Sequence, residues 1–173
     1  EQEFGSPQAN KSVDGKPLAI AGKAFEHGFG THANGTLRLD LKGAATRFTA
    51  QVGVDDERQK SQRASVEFKV VGDGKTLWTS GVMKGGEAAK AVDVNLAGVK
   101  KLILQVTDAD DGNYDDHADW VDAKLEYTGA RPAPLAAPKE EPYIWTPTVA
   151  SKPKINGTQV AGCRPGHPFL FRI

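Results

Sequence analysis

Between residues 18 and 127, apolar and polar side chains alternate in short runs. Leu37, Leu39 and Leu41 share one face of an extended segment, and Phe48, Ala50, Val52 and Val54 share a face of the next. Val66, Phe68 and Val70 follow, then Val92, Val94 and Leu96, then Leu102, Leu104 and Val106, and last Val121, Ala123, Leu125 and Tyr127. A period of two puts successive side chains on opposite faces, so each run predicts a strand with one face in a core. In the last run the inward face falls on Val121, Ala123 and Leu125, which turns Trp120 outward beside Asp122 and Lys124. No stretch carries a comparable period of 3.6 residues; Glu87–Lys90 is at most one turn. Asp73-Gly74 between two such runs predicts a two-residue hairpin. Many short strands joined by glycine-rich turns predict an all-β fold, a β-sandwich.

The pattern changes near Gly129. Eight of the ten prolines lie beyond it, beginning with Ala130-Arg-Pro-Ala-Pro-Leu-Ala-Ala-Pro138. Proline fixes φ and removes a backbone donor, so this stretch predicts an extended spacer rather than a strand. The chain therefore divides into a sandwich over residues 1–129, a Pro-rich linker over 130–153 and the truncated start of a second β domain over 154–173. That last segment carries an Asn156-Gly157 turn and the apolar run Pro168–Ile173. Both ends read as cut, the first inside a loop and the second in mid-strand.

Charge narrows the partners. The 22 basic and 22 acidic residues balance, but residues 1–129 hold 16 against 20 and residues 130–173 hold 6 against 2. A mildly acidic main domain disfavours nucleic acid and anionic membranes. No apolar run approaches the roughly 20 residues that cross a bilayer, so no membrane span is expected. Cys163 is alone, so it forms no internal disulfide and belongs to no zinc-type cluster.

The chemistry concentrates in Asp108–Asp122, where seven of fifteen residues are Asp and none is Lys or Arg. Such self-repulsion calls for solvation, a cation, or hydrogen bonds to a polyhydroxyl ligand. Carboxylates and imidazoles suit sugar hydroxyls, and an aromatic ring suits the apolar face of a pyranose. Asp116, His117, Asp119 and an outward Trp120 are the candidates. The plain alternatives are a solvated loop, a Trp120 covered by a neighbouring loop, and calcium. An EF-hand is excluded, because Gly112 falls at loop position five and position twelve is Asp119 rather than Glu. Earlier in the chain, Glu26-His-Gly-Phe-Gly-Thr-His-Ala-Asn34 lacks the following helix of a phosphate loop. His32 in it is either a ligand-binding imidazole or a buried structural one. Arg58, after Val52-Gly-Val-Asp-Asp-Glu, reads as a surface ion pair more readily than as a sugar-gripping guanidinium.

Taken together, Asn10-Lys-Ser-Val-Asp-Gly15, His27-Gly-Phe-Gly-Thr-His-Ala33, Val52-Gly-Val-Asp55, Val66-Glu-Phe-Lys-Val70, Asp73-Gly-Lys75 and Asp116-His-Ala-Asp-Trp120 stand in one order over about residues 4–128. In this the chain resembles the NPCBM family, the family 51 carbohydrate-binding modules, without that family's opening Trp-containing segment. The resemblance implies a galactose-binding-like jelly roll, recognition of galactose-containing glycans, and attachment to glycoside hydrolase domains. It places function on His32 and on Asp116, His117, Asp119 and Trp120. It implies no catalytic cofactor and allows a structural calcium ion. Residues 154–173 resemble the opening of an immunoglobulin-like domain, an arrangement similar to that of bacterial family 27 α-galactosidases; this implies a secreted, periplasmic or cell-surface parent enzyme. Two other readings stand beside the accessory module. One is a structural or interaction sandwich without sugar binding. The other is a hydrolase in its own right, for which Asp55, Asp116 and Asp119 supply carboxylates but no recognisable acid and base pair.

Overall fold

The computed structural model describes residues 2–138. The expected spacer beyond 138, the β-domain opening at 154–173 and its Asn156-Gly157 turn lie outside the described residues. Among the described residues twelve strands form: β1 (Gln8–Ala9), β2 (Leu18–Ile20), β3 (Lys23–Phe25), β4 (Gly28–His32), β5 (Gly35–Asp40), β6 (Ala45–Val54), β7 (Ser65–Gly72), β8 (Lys75–Lys84), β9 (Lys90–Asn95), β10 (Lys101–Thr107), β11 (His117–Tyr127) and β12 (Ala133–Pro134). One sheet runs β1-β4-β11-β6-β9 and the other β12-β5-β10-β7-β8, every pairing antiparallel. Among the described residues the one helical element is a single 3-10 turn, Asp56–Arg58.

Most of the predicted inward faces meet between the sheets, whereas Ala123 and Tyr127 are exposed. Phe48, Val52 and Val54 from one sheet pack on Val66, Phe68, Val70, Leu102 and Leu104 from the other, all buried. The Asp73-Gly74 hairpin joins β7 to β8, with φ +47° and +81° at its two central residues. Positive φ at both positions is the turn that matches the right-handed twist of paired strands. A Cβ on Gly74 meets nothing within 4 Å, so only backbone strain opposes it. Gly74→Ala is expected to cost about 1 kcal/mol, read as a lower urea midpoint at unchanged slope.

A third layer covers the outer face of the first sheet. The β2-β3 hairpin lays Leu18, Ile20 and Phe25 over Val121 of β11. Gly53 makes this approach close, because a Cβ there would sit 2.5 Å from Ile20 Cγ2.

Two expectations are corrected. The inward face of β11 does not run in one phase, because the strand bulges. Val121 pairs with Gln51 and Lys124 with Thr49, so β11 spends three residues where β6 spends two. The extra residue reverses the alternation, and Asp122 at φ +50° marks the irregularity. Downstream Leu125 packs on the inter-sheet core, but upstream it is Ala118 and Trp120 that face it, while Val121 points to the other side, under the hairpin. Trp120 is therefore 1% exposed rather than outward. It lies 5.3 Å, edge-on, from the Phe68 ring, 6.1 Å from Phe48 and 6.3 Å from Phe29. The second correction concerns the spacer, whose first residues belong to the sandwich. Ala133 and Pro134 pair with Asp40 and Leu39, and the Leu135 N–H donates to the Arg38 carbonyl. Proline is tolerated there because β12 is an edge strand.

Candidate functional site

The first sheet brings two distant histidines side by side. His32 ends β4 and His117 begins β11, and they face each other in register. Both are buried, with ring centroids 5.3 Å apart in an edge-to-face arrangement. His32 Nδ1 lies 2.5 Å from the Ala33 carbonyl, which fixes the proton on Nδ1 and leaves Nε2 as an acceptor. Burial holds its pKa below the ordinary histidine value, and the Ala33 bond only partly offsets this, so the ring is neutral at pH 7.

His117 is positioned by the end of β6. Its Nδ1 lies 2.5 Å from Glu57 Oε1, and Glu57 Oε2 accepts from Ser12 Oγ at 3.0 Å. Glu57 sits in the 3-10 turn, whose N-cap is Asp55; the Asp55 carboxylate accepts the Glu57 N–H at 2.8 Å. The Asp55 N–H in turn donates to the His117 carbonyl. The same turn presents Arg58, which ion-pairs with Asp115 at 3.1 Å and Asp14 at 3.2 Å.

These residues floor an open cleft of about 410 Å³, within the usual range for a small-molecule site. His32, His117, Arg58 and Asp115 line it. Its other walls carry Phe4 and Tyr114, which are 57% and 66% exposed, with Glu3 and Asn113 joined by a 2.8 Å hydrogen bond. The cleft thus offers charged donors, carboxylate acceptors, a neutral imidazole and two partly exposed aromatic rings.

Of the five residues expected to carry binding, the structure brings His32 and His117 to this cleft and puts the other three elsewhere. Trp120 is in the core. Asp116 is 0% exposed and accepts the Ser65 N–H at 3.0 Å, while its other oxygen has no partner. Burial, reinforced by Asp111, Asp108 and Asp115, pushes its pKa up to about 7. Asp119 is also 0% exposed, on the face covered by the β2-β3 hairpin. It faces Asp55, and burial together with that neighbour raises its pKa to about 10. Asp55, Asp116 and Asp119 are buried, and none of them lines the cleft. The Asp-rich loop is held by hydrogen bonds from neighbouring segments: Asp111 accepts from Ser65 Oγ, Asp115 from Ser61 Oγ and Asp108 from Asn34 Nδ2.

The sequence reasoning missed Phe4, Asn113, Tyr114 and Asp115, and set Arg58 aside. Arg58 does form the expected ion pairs, but it forms them in the wall of the cleft. Tyr114 had a legible signal, as the one aromatic side chain within the Asp-rich loop before Trp120.

A calcium ion takes six to eight oxygen ligands. Among the described residues, the one cluster of potential metal ligands is Asp14, Glu57 and His117, whose atoms lie within 4.8 Å of one another. This donor set includes a nitrogen, and its Glu57 is already bonded to His117 and Ser12. It does not fit calcium. A separate apolar crevice between β4 and β5, lined by Phe29, Leu37, Leu104 and Val106, reaches inward to Trp120. It holds no ionisable side chain to orient a polyhydroxyl ligand.

The profile of the NPCBM/NEW2 domain matches residues 1–126. A protein of Renibacterium salmoninarum named "Putative endo-alpha-N-acetylgalactosaminidase" is 36% identical over 140 residues, 81% of this chain and 9% of that one. The alpha-1,3-galactosidase B of Akkermansia muciniphila is 36% identical over 133 residues, 75% of this chain and 16% of that one. The chain therefore spans only a small part of these curated relatives. The CBM51 from Clostridium perfringens GH95, solved in complex with methyl-galactose, has a TM-score of 0.67 and 32% identity, covering 73% of this chain and 91% of that one. The CBM51-2 and INT domains of C. perfringens ZmpB, solved with GlcNAc, have a TM-score of 0.68 and 31% identity, covering 72% and 28%.

Proposed function

Because the chain belongs to the NPCBM/NEW2 domain family, we propose that it is a carbohydrate-binding module whose histidine cleft takes a terminal galactose residue. The observation that carries this is the pairing of the exposed Tyr114 and Phe4 rings with a fixed polar floor of His32, His117 and Arg58. One face of galactose is apolar C–H surface, suited to an aromatic ring. Its hydroxyls suit the Arg58 donors and the Asp115 and His32 acceptors. Internal bonds hold His32, His117 and Arg58 in place before ligand arrives, so little ordering opposes binding. The methyl-galactose complex of a similar module supports galactose as the sugar.

In our reading the parent polypeptide is a secreted bacterial glycoside hydrolase, an α-galactosidase, with an immunoglobulin-like domain opening at residues 154–173. The names of the relatives and the resemblance of the downstream sequence support it. The module raises the local concentration of enzyme at galactose-containing glycans, so a weak single-site affinity is enough to be useful.

Isothermal titration with methyl galactoside, GlcNAc and methyl mannoside tests the cleft. Methyl galactoside is expected to bind in preference to the other two. Arg58→Ala is expected to weaken it by about 10-fold or more, the loss of a hydrogen bond from a charged donor. Folded protein that binds none of the three sugars would defeat the proposal. It would favour a structural sandwich instead, a reading for which the burial of Asp116, Asp119 and Trp120 speaks.

A further inference from the structure

We propose a second saccharide subsite next to the first, in the cleft of about 460 Å³ lined by Gln62, Arg63, Asp111 and Gly112, with Tyr114 as the wall that both clefts share. It rests on the galactose reading above and names what that cleft's ligand is attached to: an uncharged hexose or hexosamine.

The two clefts meet at one side chain. Tyr114 lines each of them and is 66% exposed. A glycan whose terminal ring fills the histidine cleft and whose next unit passes this tyrosine enters the Arg63 cleft directly. Arg63 is held for the purpose, its guanidinium lying 5.4 Å from the centroid of the Tyr114 ring. A cation stacked on an aromatic face is restrained, yet its edge N–H groups remain free to donate. Asp111 is fixed from behind by the 2.6 Å bond from Ser65 Oγ, which leaves its other oxygen as an acceptor. A planar donor and a fixed acceptor across a small cleft suit vicinal hydroxyls. Gly112, at φ +95°, adds no side chain to the cleft.

Charge sets the ligand class. Arg63 is the one basic residue lining this cleft, whereas Asp111 lines it and Asp108, Asp110 and Asp115 belong to the same loop. A sulfated or sialylated unit would meet net repulsion, so the second unit is neutral.

The test compares methyl β-galactoside with two neutral disaccharides, lactose and α-1,3-galactobiose, by isothermal titration against wild type, Arg63→Ala and Arg63→Gln. At least one disaccharide is expected to bind wild type about 5-fold more tightly than methyl galactoside, the gain from one or two hydrogen bonds. Both Arg63 variants should lose that advantage while keeping the methyl galactoside affinity. Equal binding of one and two sugars by wild type, or an Arg63 loss that falls on both ligands alike, would overturn the second subsite and leave the first standing. If no galactoside binds wild type at all, both proposals fall together.

Discussion

Trp120→Ala is expected to destabilise the sandwich by about 3–5 kcal/mol, the range for removing a large aromatic side chain from a packed core. The indole is 1% exposed and touches three phenylalanine rings drawn from β4, β6 and β7, so it ties both sheets together. Burying an aromatic side chain removes roughly 150–250 Å² from water, worth about 4–6 kcal/mol at 25 cal/mol per Å². Domains of this size have only about 5–15 kcal/mol in total, so the variant loses much of its margin. Trp120→Phe keeps a ring in the same place and should lose less. Urea denaturation measures both. An outward indole on the same strand would shift stability by no more than about 0.5 kcal/mol. A loss that small would contradict the core position and restore this residue as a sugar platform.

The error about Trp120 and the success elsewhere share a cause. Period-two alternation is reliable while pairing is regular, and it placed Phe48, Val66, Phe68, Val92, Leu102 and Leu104 on the inward faces they occupy. It fails across a bulge, and the bulge in β11 is marked by Asp122 at φ +50°, not by a glycine. Aspartate enters that region more readily than most residues, but it is too common in this segment to flag one position. The buried acids were hidden for a different reason. Asp119 lies on the outer face of its sheet, where polar residues are ordinary; only the β2-β3 hairpin folding back over that face buries it. The cleft was half visible. His32 and His117 stood out as residue types beside glycines and acids, but Glu57, the partner of His117, is 60 residues from it in sequence and meets it only through the pairing of β6 with β11. Phe4 had no local signal, since it lies in an irregular stretch that packs beside the His32 ring.

Those buried acids give the domain an expected pH dependence with an unusual direction. Neither oxygen of Asp119 receives a hydrogen bond from an N–H or hydroxyl donor among the described residues, and Asp55 beside it already accepts from Glu57 N–H and Ala19 N–H. The pair is satisfied when Asp119 keeps its proton and donates it to Asp55. Burial first, then Asp55, and more weakly Glu57 and Asp56, push the Asp119 pKa to about 10, against about 3.9 in an unfolded chain. Folding therefore takes up a proton between those limits. The contribution is complete below about pH 4, declines as pH rises, and is gone above about pH 10, at up to about 1.4 kcal/mol per pH unit. Asp116, raised to about 7 by burial with Asp111, Asp108 and Asp115 around it, adds a decline of the same sign between about pH 4 and 7. The half-buried Glu67 and the exposed Asp73 and Asp93, all with lowered pKa, act in the opposite sense, on the acid side of this window. Unfolding free energy is thus expected to fall from pH 5 to pH 9, most steeply below 7. Asn at 119 keeps an N–H donor toward Asp55 and cannot ionise, so Asp119→Asn should flatten the alkaline part, a difference of up to about 3 kcal/mol between pH 7 and 9. Asp116→Asn should flatten the part below 7 and leave the alkaline slope. Urea titrations across this range read both. Equal alkaline slopes for wild type and Asp119→Asn would mean that Asp119 is already ionised in the folded domain, and that something other than its own proton balances the charge facing Asp55.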